Sequence, residues 1–189
     1  RLRFRAAIRT RDGDVKRLKE LTSSVDIETL PPSDVVLLSR SLRKHVSPAA
    51  AAELLLKVHH RHFGDFWINY ELGCDLALST PKHLDEALVH YSMALAIQPD
   101  NPAALDGRGN VMCQLGRLSE AVESYQRALE IDPGSPGTYV NMGIALTKQG
   151  NTRAAIATYR QAIDLDPQIA IAHSNLASAF LEQGQLKEA

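Results

Sequence analysis

Cysteine and aromatic residues are scarce in this chain of 189 residues. There are two cysteines, Cys74 and Cys113, and aromatic residues make up 5% of the sequence. Two isolated thiols cannot form the disulfide framework of a small secreted protein, so the sequence indicates a reduced compartment and a cytoplasmic location. With so few rings, small and aliphatic side chains must supply most of the packing, which is typical of stacked helices.

The chain also lacks a strong excess of charge and a long hydrophobic run. Its formal net charge is -1 at pH 7, and no apolar stretch approaches the roughly 18 residues that a membrane span needs. We therefore predict no nucleic-acid partner and no membrane partner. Residues 1–20 nevertheless hold eight Lys or Arg against three Asp or Glu. This basic segment either contacts phosphate or an acidic partner, or is a solvated helix face, as most charge runs are.

No catalytic or metal-binding pattern is recognisable. Gly107-Arg108-Gly109 has the spacing of a phosphate loop, but it falls inside a predicted helix with no strand before it, so helix packing explains it better. His59 and His62 lie three residues apart on a predicted helix, yet no Cys or acidic ligands follow at a matching spacing. We predict no enzymatic activity, no cofactor and no metal site, and we interpret these histidines as a surface cluster.

What the chain does contain is one pattern that occurs twice at a spacing of 34 residues. Adding 34 to six markers in residues 102–135 reaches the same residue type each time. The marker pairs are Gly109 and Gly143, Gly116 and Gly150, Ala121 and Ala155, Tyr125 and Tyr159, Ala128 and Ala162, and Pro133 and Pro167. A fixed period of this length is typical of solenoids built from helix–turn–helix units.

Several markers are also signals for the ends of helices. Gly116 and Gly150 follow helical runs and suit the left-handed residue that ends a helix. Pro133 and Pro167 end the second helix of each unit, because proline disfavours helical geometry in the residue before it. The stop signals therefore agree with the period.

Other signals predict where helices begin and where they cross. Asn101-Pro102, Ser135-Pro136 and Ser47-Pro48 each combine a capping side chain with proline at the first helical position. Gly109 and Ala121 are expected where the two helices of a unit cross, because small residues let the backbones approach closely.

The residues that carry the pattern resemble the markers of the tetratricopeptide repeat, as do their counterparts one period on: Gly109, Ala121, Tyr125, Ala128 and Pro133. The resemblance implies an all-α fold, a right-handed superhelical solenoid of antiparallel helix pairs. It divides the chain into an N-terminal helical pair with a linker, a divergent repeat, a repeat with a two-residue insertion in its turn, two regular repeats and a truncated repeat. These segments are residues 1–31, 32–65, 66–101, 102–135, 136–169 and 170–189. Because the last repeat is cut short, we expect the chain to be part of a longer protein.

The same resemblance implies a binding surface, since the first helices of such repeats line the concave side of the solenoid. We predict a concave groove formed by Trp67, Tyr70, Asp106, Asn110, Gln114, Asn141, Ile144, Lys148, Asn175 and Ser178. In this groove Trp67, Tyr70 and Ile144 would be apolar anchors. Asn141 and Asn175 occupy the same offset, and they either hold the backbone of an extended peptide or bond a neighbouring helix end.

Two narrower resemblances bear on partners. Residues 173–178, His-Ser-Asn-Leu-Ala-Ser, are similar to the repeats of O-linked N-acetylglucosamine transferases, in which an asparagine ladder grips substrate peptides; Gly107 interrupts that ladder here. Residues 64–73, Gly-Asp-Phe-Trp-Ile-Asn-Tyr-Glu-Leu-Gly, resemble the tetratricopeptide region that follows the kinase domain of some bacterial serine/threonine protein kinases. Neither a glycosyltransferase domain nor a kinase motif occurs in this sequence.

These observations support three hypotheses about function. The first is a non-catalytic scaffold that binds a peptide or protein segment in the concave groove. The second is a regulatory or substrate-recruiting region of a bacterial serine/threonine protein kinase. The third is self-assembly, with a homodimer through the C-terminal repeat. It depends on the expectation that Leu176, Phe180 and Leu181 stay uncovered, because terminal repeats need a polar cap.

Overall fold

The computed structural model describes residues 18, 20, 22, 26–80, 82–182 and 184, and these residues form helices and no strand. The chain divides into two compact units, an N-terminal unit of Arg1–Pro99 and a C-terminal unit of Asp100–Ala189. The all-α fold predicted from the sequence is confirmed. Most of the predicted N-terminal helical pair, residues 1–31, lies outside the described residues.

Between residues 26 and 99, the described part of the N-terminal unit contains a short 3-10 turn and four α-helices. The turn is Ile27–Thr29, and the helices are α1 (Pro32–His45), α2 (Pro48–His59), α3 (Phe66–Leu78) and α4 (Leu84–Ile97). Fully buried aliphatic side chains from α1, α2 and α3 form the core, among them Leu38, Leu55 and Leu72. The buried Ile27 of the turn adds to the apolar interior of this unit.

The described part of the C-terminal unit contains five α-helices. They are α5 (Pro102–Gln114), α6 (Leu118–Ile131), α7 (Pro136–Lys148), α8 (Thr152–Leu165) and α9 (Ala170–Glu182). Short connections at residues 115–117 and 149–151 join α5 to α6 and α7 to α8. Such short connections make each pair antiparallel.

The first helix of each pair in the C-terminal unit ends as predicted. Gly116 and Gly150 both have a φ of 77°, the left-handed conformation that glycine adopts without strain. The backbone N–H of the next residue then bonds back over one turn, Arg117 to Met112 and Asn151 to Leu146, each at 2.9 Å. This is the hydrogen-bond pattern of a Schellman cap. The second helices end at Ile131 and Leu165, two residues before the predicted prolines.

All three predicted start signals are confirmed, since helices begin at Pro48, Pro102 and Pro136. The side chains of Asn101 and Ser47 accept from the backbone N–H of Ala104 and Ala50, each at 3.1 Å. Ser135 is the N-cap residue of α7, but the capping hydrogen bond expected of its side chain is absent. The Ser135 hydroxyl lies 3.0 Å from the hydroxyl of Thr138 instead.

One glycine on each of α3, α5 and α7 lies under a tyrosine ring of the helix that follows. A Cβ atom added to Gly73 would come within 2.9 Å of the Tyr91 ring, and one added to Gly109 would come within 2.6 Å of the Tyr125 ring. Gly143 stands in the same relation to Tyr159. The space predicted for close backbone approach is therefore filled by a ring, which explains why the glycine and the tyrosine recur together.

The expectation for the end of the array is partly wrong. Phe180 is 4% exposed, because its ring packs with Ile156 and Ala179, and the guanidinium of Arg160 lies over it at 5.4 Å. Leu176 is half-buried and packs against two of the apolar clusters of this unit. Leu181 is 55% exposed, as expected. The preceding pair thus already covers most of the apolar face of α9.

Candidate functional site

An exposed aromatic side chain stands out on α3. Trp67 is 49% exposed, and its ring meets those of Phe66 and Tyr70 edge to face, with ring centres 5.1 and 5.9 Å away. The guanidinium carbon of Arg40, on α1, lies 5.4 Å from the centre of the Trp67 ring, which is a cation–π contact. We call Arg40, Trp67 and Tyr70 the aromatic surface. Two predicted groove residues, Trp67 and Tyr70, therefore lie in contact.

A network of charged side chains lies behind the aromatic surface and joins α1 to α3. Arg43 donates hydrogen bonds to the carboxylates of Glu71 and Asp75. Arg40 Nε donates to Glu71 at 2.6 Å, and the Ser39 hydroxyl donates to Asp75 at 3.0 Å. Glu71 is 2% exposed and Asp75 is 0% exposed. Since a buried charge is tolerated only when it is paired, this network fixes the arginines relative to α3.

Burial and pairing act in opposite directions on the charges of Arg43 and Asp75. Burial raises the pKa of Asp75 to about 6, although the hydrogen bond and charge of Arg43 favour its ionised form. Burial alone would lower the pKa of Arg43, but its hydrogen bonds and charge attraction to Asp75 and Glu71 outweigh that effect and raise it. At pH 7 the Arg43 and Asp75 side chains are therefore an ion pair.

Sequence reasoning missed this network, although the sequence held a usable signal. Arg40 and Arg43 lie three residues apart on one predicted first helix, and Glu71 and Asp75 lie four apart on the next. Residues at these spacings share one helix face, so opposite charges on successive first helices favour pairing between them. Glu71 also has the same position in its repeat as the predicted groove residue Asn141, since each is the sixth residue of its first helix.

Two histidines and an asparagine form a second buried cluster in the N-terminal unit. The rings of His59 on α2 and His90 on α4 meet edge to face, with centres 4.8 Å apart. The side-chain oxygen of Asn69 accepts from His59 Nε2 at 3.0 Å and from His90 Nδ1 at 3.3 Å. Because His59 is half-buried and bonded in this way, its predicted place in a surface cluster is wrong. The cluster ties α2, α3 and α4 together.

His90 makes the N-terminal unit sensitive to acid. Burial lowers the pKa of His90 from 6.5 to about 4, and the neighbouring His59 acts in the same direction. The unfolded chain therefore binds more protons than the folded chain between these two values, so stability falls as the pH decreases through that range. Between pH 7 and pH 5 we expect the natural chain to lose about 2 kcal/mol more unfolding free energy than His90→Gln. Urea unfolding followed by the fluorescence of Trp67, the single tryptophan, measures this difference.

The raised pKa of Asp75 makes the folded chain more stable as the pH decreases over the same range, which is opposite to the effect of His90. Comparison with His90→Gln separates the two effects, because the variant keeps Asp75. His60→Gln is the matched control, since His60 is exposed. It should keep the pH dependence of the natural chain. The same pH dependence in His90→Gln as in the natural chain would contradict the prediction.

Asp106 is the centre of a polar cluster in the C-terminal unit. Its carboxylate accepts from the side-chain amides of Asn110 at 3.0 Å and Asn141 at 3.2 Å, and Thr138 also hydrogen-bonds to it. The hydroxyl of Tyr125 donates to the side-chain oxygen of Asn110 at 2.9 Å. Burial raises the pKa of Asp106, and the hydrogen bonds from Asn141, Thr138 and Asn110 oppose that shift. Three predicted groove residues thus meet, and the partner of Asn141 is a side chain of α5 rather than a helix end.

Asn175 repeats the position of Asn141 without its acceptor. The side-chain nitrogen of Asn175 is buried and has no hydrogen-bond partner within the part of the chain that the structure describes. The residue one period after Asp106 is Val140, which offers no oxygen. The side-chain amide of Asn141 therefore donates from α7 to α5, whereas the equivalent amide of Asn175 on α9 has no acceptor on α7.

The remaining predicted groove residues lie along the first helices of the C-terminal unit. Gln114 and Lys148 are exposed at the ends of α5 and α7, and Lys148 Nζ lies 3.7 Å from the sulfur of Cys113. Ile144 is half-buried against Val140 and its neighbours. Ser178 is exposed, and its hydroxyl donates to the backbone of Ser174 at 3.0 Å. These residues are not drawn into the Asp106 cluster.

The two cysteines serve packing. Cys74 Sγ accepts from the hydroxyl of Tyr91 at 3.2 Å, and burial raises the pKa of the Cys74 thiol, which lowers its reactivity. Cys113 is buried. Within the described ranges, no three His, Cys, Asp or Glu side chains come together in a group that could hold a metal ion. None of the helices described here has the length and apolar character that crossing a membrane requires.

Residues 109–150 and 145–184 match the family model of the tetratricopeptide repeat. MamA from Desulfovibrio magneticus RS-1, residue 41 to the end, is similar in structure with a TM-score of 0.74 and 19% identity, over 87% of this chain and 89% of that chain. MamA AMB-1 is similar with a TM-score of 0.72 and 21% identity, over 87% of this chain and 91% of that chain. No curated protein matches by sequence. The predicted tetratricopeptide fold is therefore confirmed.

Proposed function

We propose that this chain is a non-catalytic protein-interaction scaffold whose first helices bind a peptide or protein segment. The observation that carries the proposal is the half-exposed Trp67 of the aromatic surface, with Arg40 across its ring. Tryptophan, tyrosine and arginine are the residue types most enriched at energetic hot spots of protein interfaces. Together they offer a partner apolar area and hydrogen-bond donors at one place.

The aromatic surface is ordered before any partner binds, which supports the proposal. Arg40 is bonded to the buried Glu71, and Glu71 is in turn bonded to Arg43. The ring of Trp67 contacts the rings of Phe66 and Tyr70, which stack on each other. Side chains that are fixed in advance lose little rotamer freedom on binding, so more of the contact energy is retained as affinity.

The C-terminal unit offers a polar surface that suits an extended peptide. The buried side-chain nitrogen of Asn175 is unpaired, which is costly, and it would gain a partner if binding turned the amide toward a carbonyl oxygen of a bound chain. Ile144 offers partly exposed apolar area, and Lys148 offers a cation on the same helix. The resemblance of residues 173–178 to transferase repeats that grip peptides points in the same direction.

Substitution of Trp67 tests the proposal. Peptides selected from a random display library against the full chain are measured by calorimetry against Trp67→Ala and the matched control Phe63→Ala. Phe63 is 66% exposed and lies just before α3, outside the aromatic surface. We expect Trp67→Ala to weaken binding about 30-fold, the effect of losing about 2 kcal/mol at a hot spot.

Phe63→Ala should change the affinity by less than about threefold, as expected outside a hot spot. Circular dichroism of both variants confirms that the helices are intact. Binding that survives Trp67→Ala, or that is lost equally in both variants, would remove the aromatic surface from the interaction. A library that yields no binder at all would count against the scaffold itself.

Two alternative roles are self-assembly and recruitment of a substrate to a kinase. Self-assembly is favoured by Ile171 and Leu181 of α9, which are 54% and 55% exposed. Light scattering that finds the monomer mass at every concentration would exclude it. Recruitment of a substrate to a kinase rests on the resemblance of residues 64–73, which include Trp67, and would use the same aromatic surface.

A further inference from the structure

A polar cavity lies where the beginnings of α5 and α7 meet the end of α6. Its volume is about 260 Å³. Its polar lining consists of Asp106, Asp132, Ser135 and Thr138, and its remaining walls come from Pro102, Ala103 and Ala128. We call it the Asp106 cavity. All of its walls belong to the C-terminal unit.

The Asp106 cavity carries negative charge without a matching cation. The hydrogen-bond donors around Asp106 are two amides and a hydroxyl, all of them neutral. Asp132, at the end of α6, adds a second carboxylate, and the last turn of α6 contains no basic residue. Among the described residues that line the cavity there is no Lys or Arg.

The helix ends around the cavity do not cancel this charge. Each helix start contributes about half a positive charge and each helix end about half a negative charge. The starts of α5 and α7 together therefore supply about one positive charge. Two carboxylates and the end of α6 outweigh them.

The next repeat provides an internal comparison. The residues one period after Asp106, Ala128, Ser135 and Thr138 are Val140, Ala162, Ile169 and Ala172. These four apolar residues pack together and form one hydrophobic cluster. The fold can therefore close this position with hydrocarbon, and packing does not require the polar groups of the preceding repeat.

We propose that the Asp106 cavity binds the cationic head of a lysine or arginine side chain of the partner. The inference rests on the proposed scaffold function and names one chemical feature of what it binds. The amides of Asn110 and Asn141 hold the carboxylate of Asp106 in a fixed orientation. The hydroxyls of Ser135 and Thr138 supply further oxygen acceptors for an ammonium or guanidinium group.

The fixed carboxylate explains why the cavity favours a cation over a neutral side chain. Asp106 is partly buried, and a partly buried carboxylate with neutral partners only is less stable than one that is paired with a charge. Burial has already raised the pKa of Asp106, which reports this unfavourable environment for the ionised form. A cation that enters the cavity restores the charge balance and finds hydrogen-bond acceptors on several sides.

Short model peptides test the inference without knowledge of the natural partner. The full chain is titrated with acetyl-Gly-Lys-Gly-amide, with its arginine counterpart and with the norleucine counterpart, which keeps the hydrocarbon stem but lacks the charge. The readout is the NMR chemical shift of the side-chain amides of Asn110 and Asn141. We expect the lysine or the arginine peptide to shift both amides and the norleucine peptide to shift neither.

Asp106→Asn should weaken the binding of the cationic peptide at least about tenfold, because the pairing charge is lost. Asp164→Asn is the matched control, since Asp164 is exposed on α8 outside the cavity, and it should leave binding unchanged. If Asp106→Asn does not fold, Asp132→Asn at the rim should weaken binding about threefold by the same reasoning. Equal shifts with norleucine, no shift with either cation, or full binding by the Asp106 and Asp132 variants would overturn the inference.

The experiments distinguish failure of the cation site from failure of the scaffold function. A selected peptide that needs Trp67 but shows no shift of the Asp106 cluster would refute the cation site alone. Cation binding at Asp106 in a chain that captures no peptide from the library would refute the scaffold proposal alone.

Discussion

Replacement of Arg43 by alanine is expected to destabilise the N-terminal unit by about 3–5 kcal/mol, the loss that follows when one partner of a buried ion pair is removed. Arg43 bonds both Glu71 and Asp75, and their burial gives them almost no access to water. Without Arg43, two carboxylates remain inside the unit with Arg40 and Ser39 as partners. Urea unfolding monitored by Trp67 fluorescence at pH 7 measures the loss.

Arg40→Ala is the matched control for this prediction. Arg40 lies on the same helix and bonds the same Glu71, but half of its side chain is exposed, so water can replace its contacts. We expect a loss of about 1 kcal/mol or less. Simultaneous replacement of Arg43 and Glu71 by methionine and of Asp75 by leucine should recover most of the stability, because no buried charge is left unpaired. Equal losses for Arg43→Ala and Arg40→Ala would contradict the assigned burial of the network.

Gly143→Val is expected to destabilise the C-terminal unit by about 3 kcal/mol, because the new side chain has no room beneath the ring of Tyr159. A Cβ atom at this position would meet that ring more closely than Cβ atoms meet other atoms in real proteins. Tyr159 is 1% exposed and its hydroxyl lies 3.2 Å from that of Thr147, so the ring cannot turn away without losing its contacts. Thermal unfolding followed by circular dichroism measures the loss.

Gly137→Val is the matched control, since Gly137 lies on the same helix with no atom near the position of its missing Cβ. The unfolding free energy of this variant should stay within about 0.5 kcal/mol of the natural chain, as for most surface substitutions. A loss in Gly143→Val that is no larger than in Gly137→Val would show that α7 and α8 can separate at little cost. The recurrence of glycine beneath tyrosine would then have no packing explanation.

The aromatic surface and the Asp106 cavity use the same positions of the repeat for different chemistry. Tyr70 is the fifth residue of α3, Asp106 is the fifth residue of α5 and Val140 is the fifth residue of α7. At this position the first is an aromatic ring, the second a carboxylate and the third an apolar group. The repeat thus keeps its glycine and tyrosine for packing while the chemistry of its fifth residue varies.

The sequence by itself determined the helices and their ends. The period of 34 residues placed the glycines and tyrosines that pack each pair, and the left-handed glycines after α5 and α7 followed from the chemistry of helix ends. These features depend on residues that are near in sequence or on the one contact that every pair repeats. For that reason pattern and elementary stereochemistry were sufficient to predict them.

Only the tertiary structure decided which side chains share a hydrogen bond across helices. The sequence placed Asn141 and Asp106 on first helices but did not pair them. The opposite charges of Arg43, Glu71 and Asp75 on successive first helices favoured attraction without showing which groups meet. The period fixes where a residue stands along its own helix. The partner of a polar group depends on the distance and rotation between two packed helices, which follow from the sum of many apolar contacts.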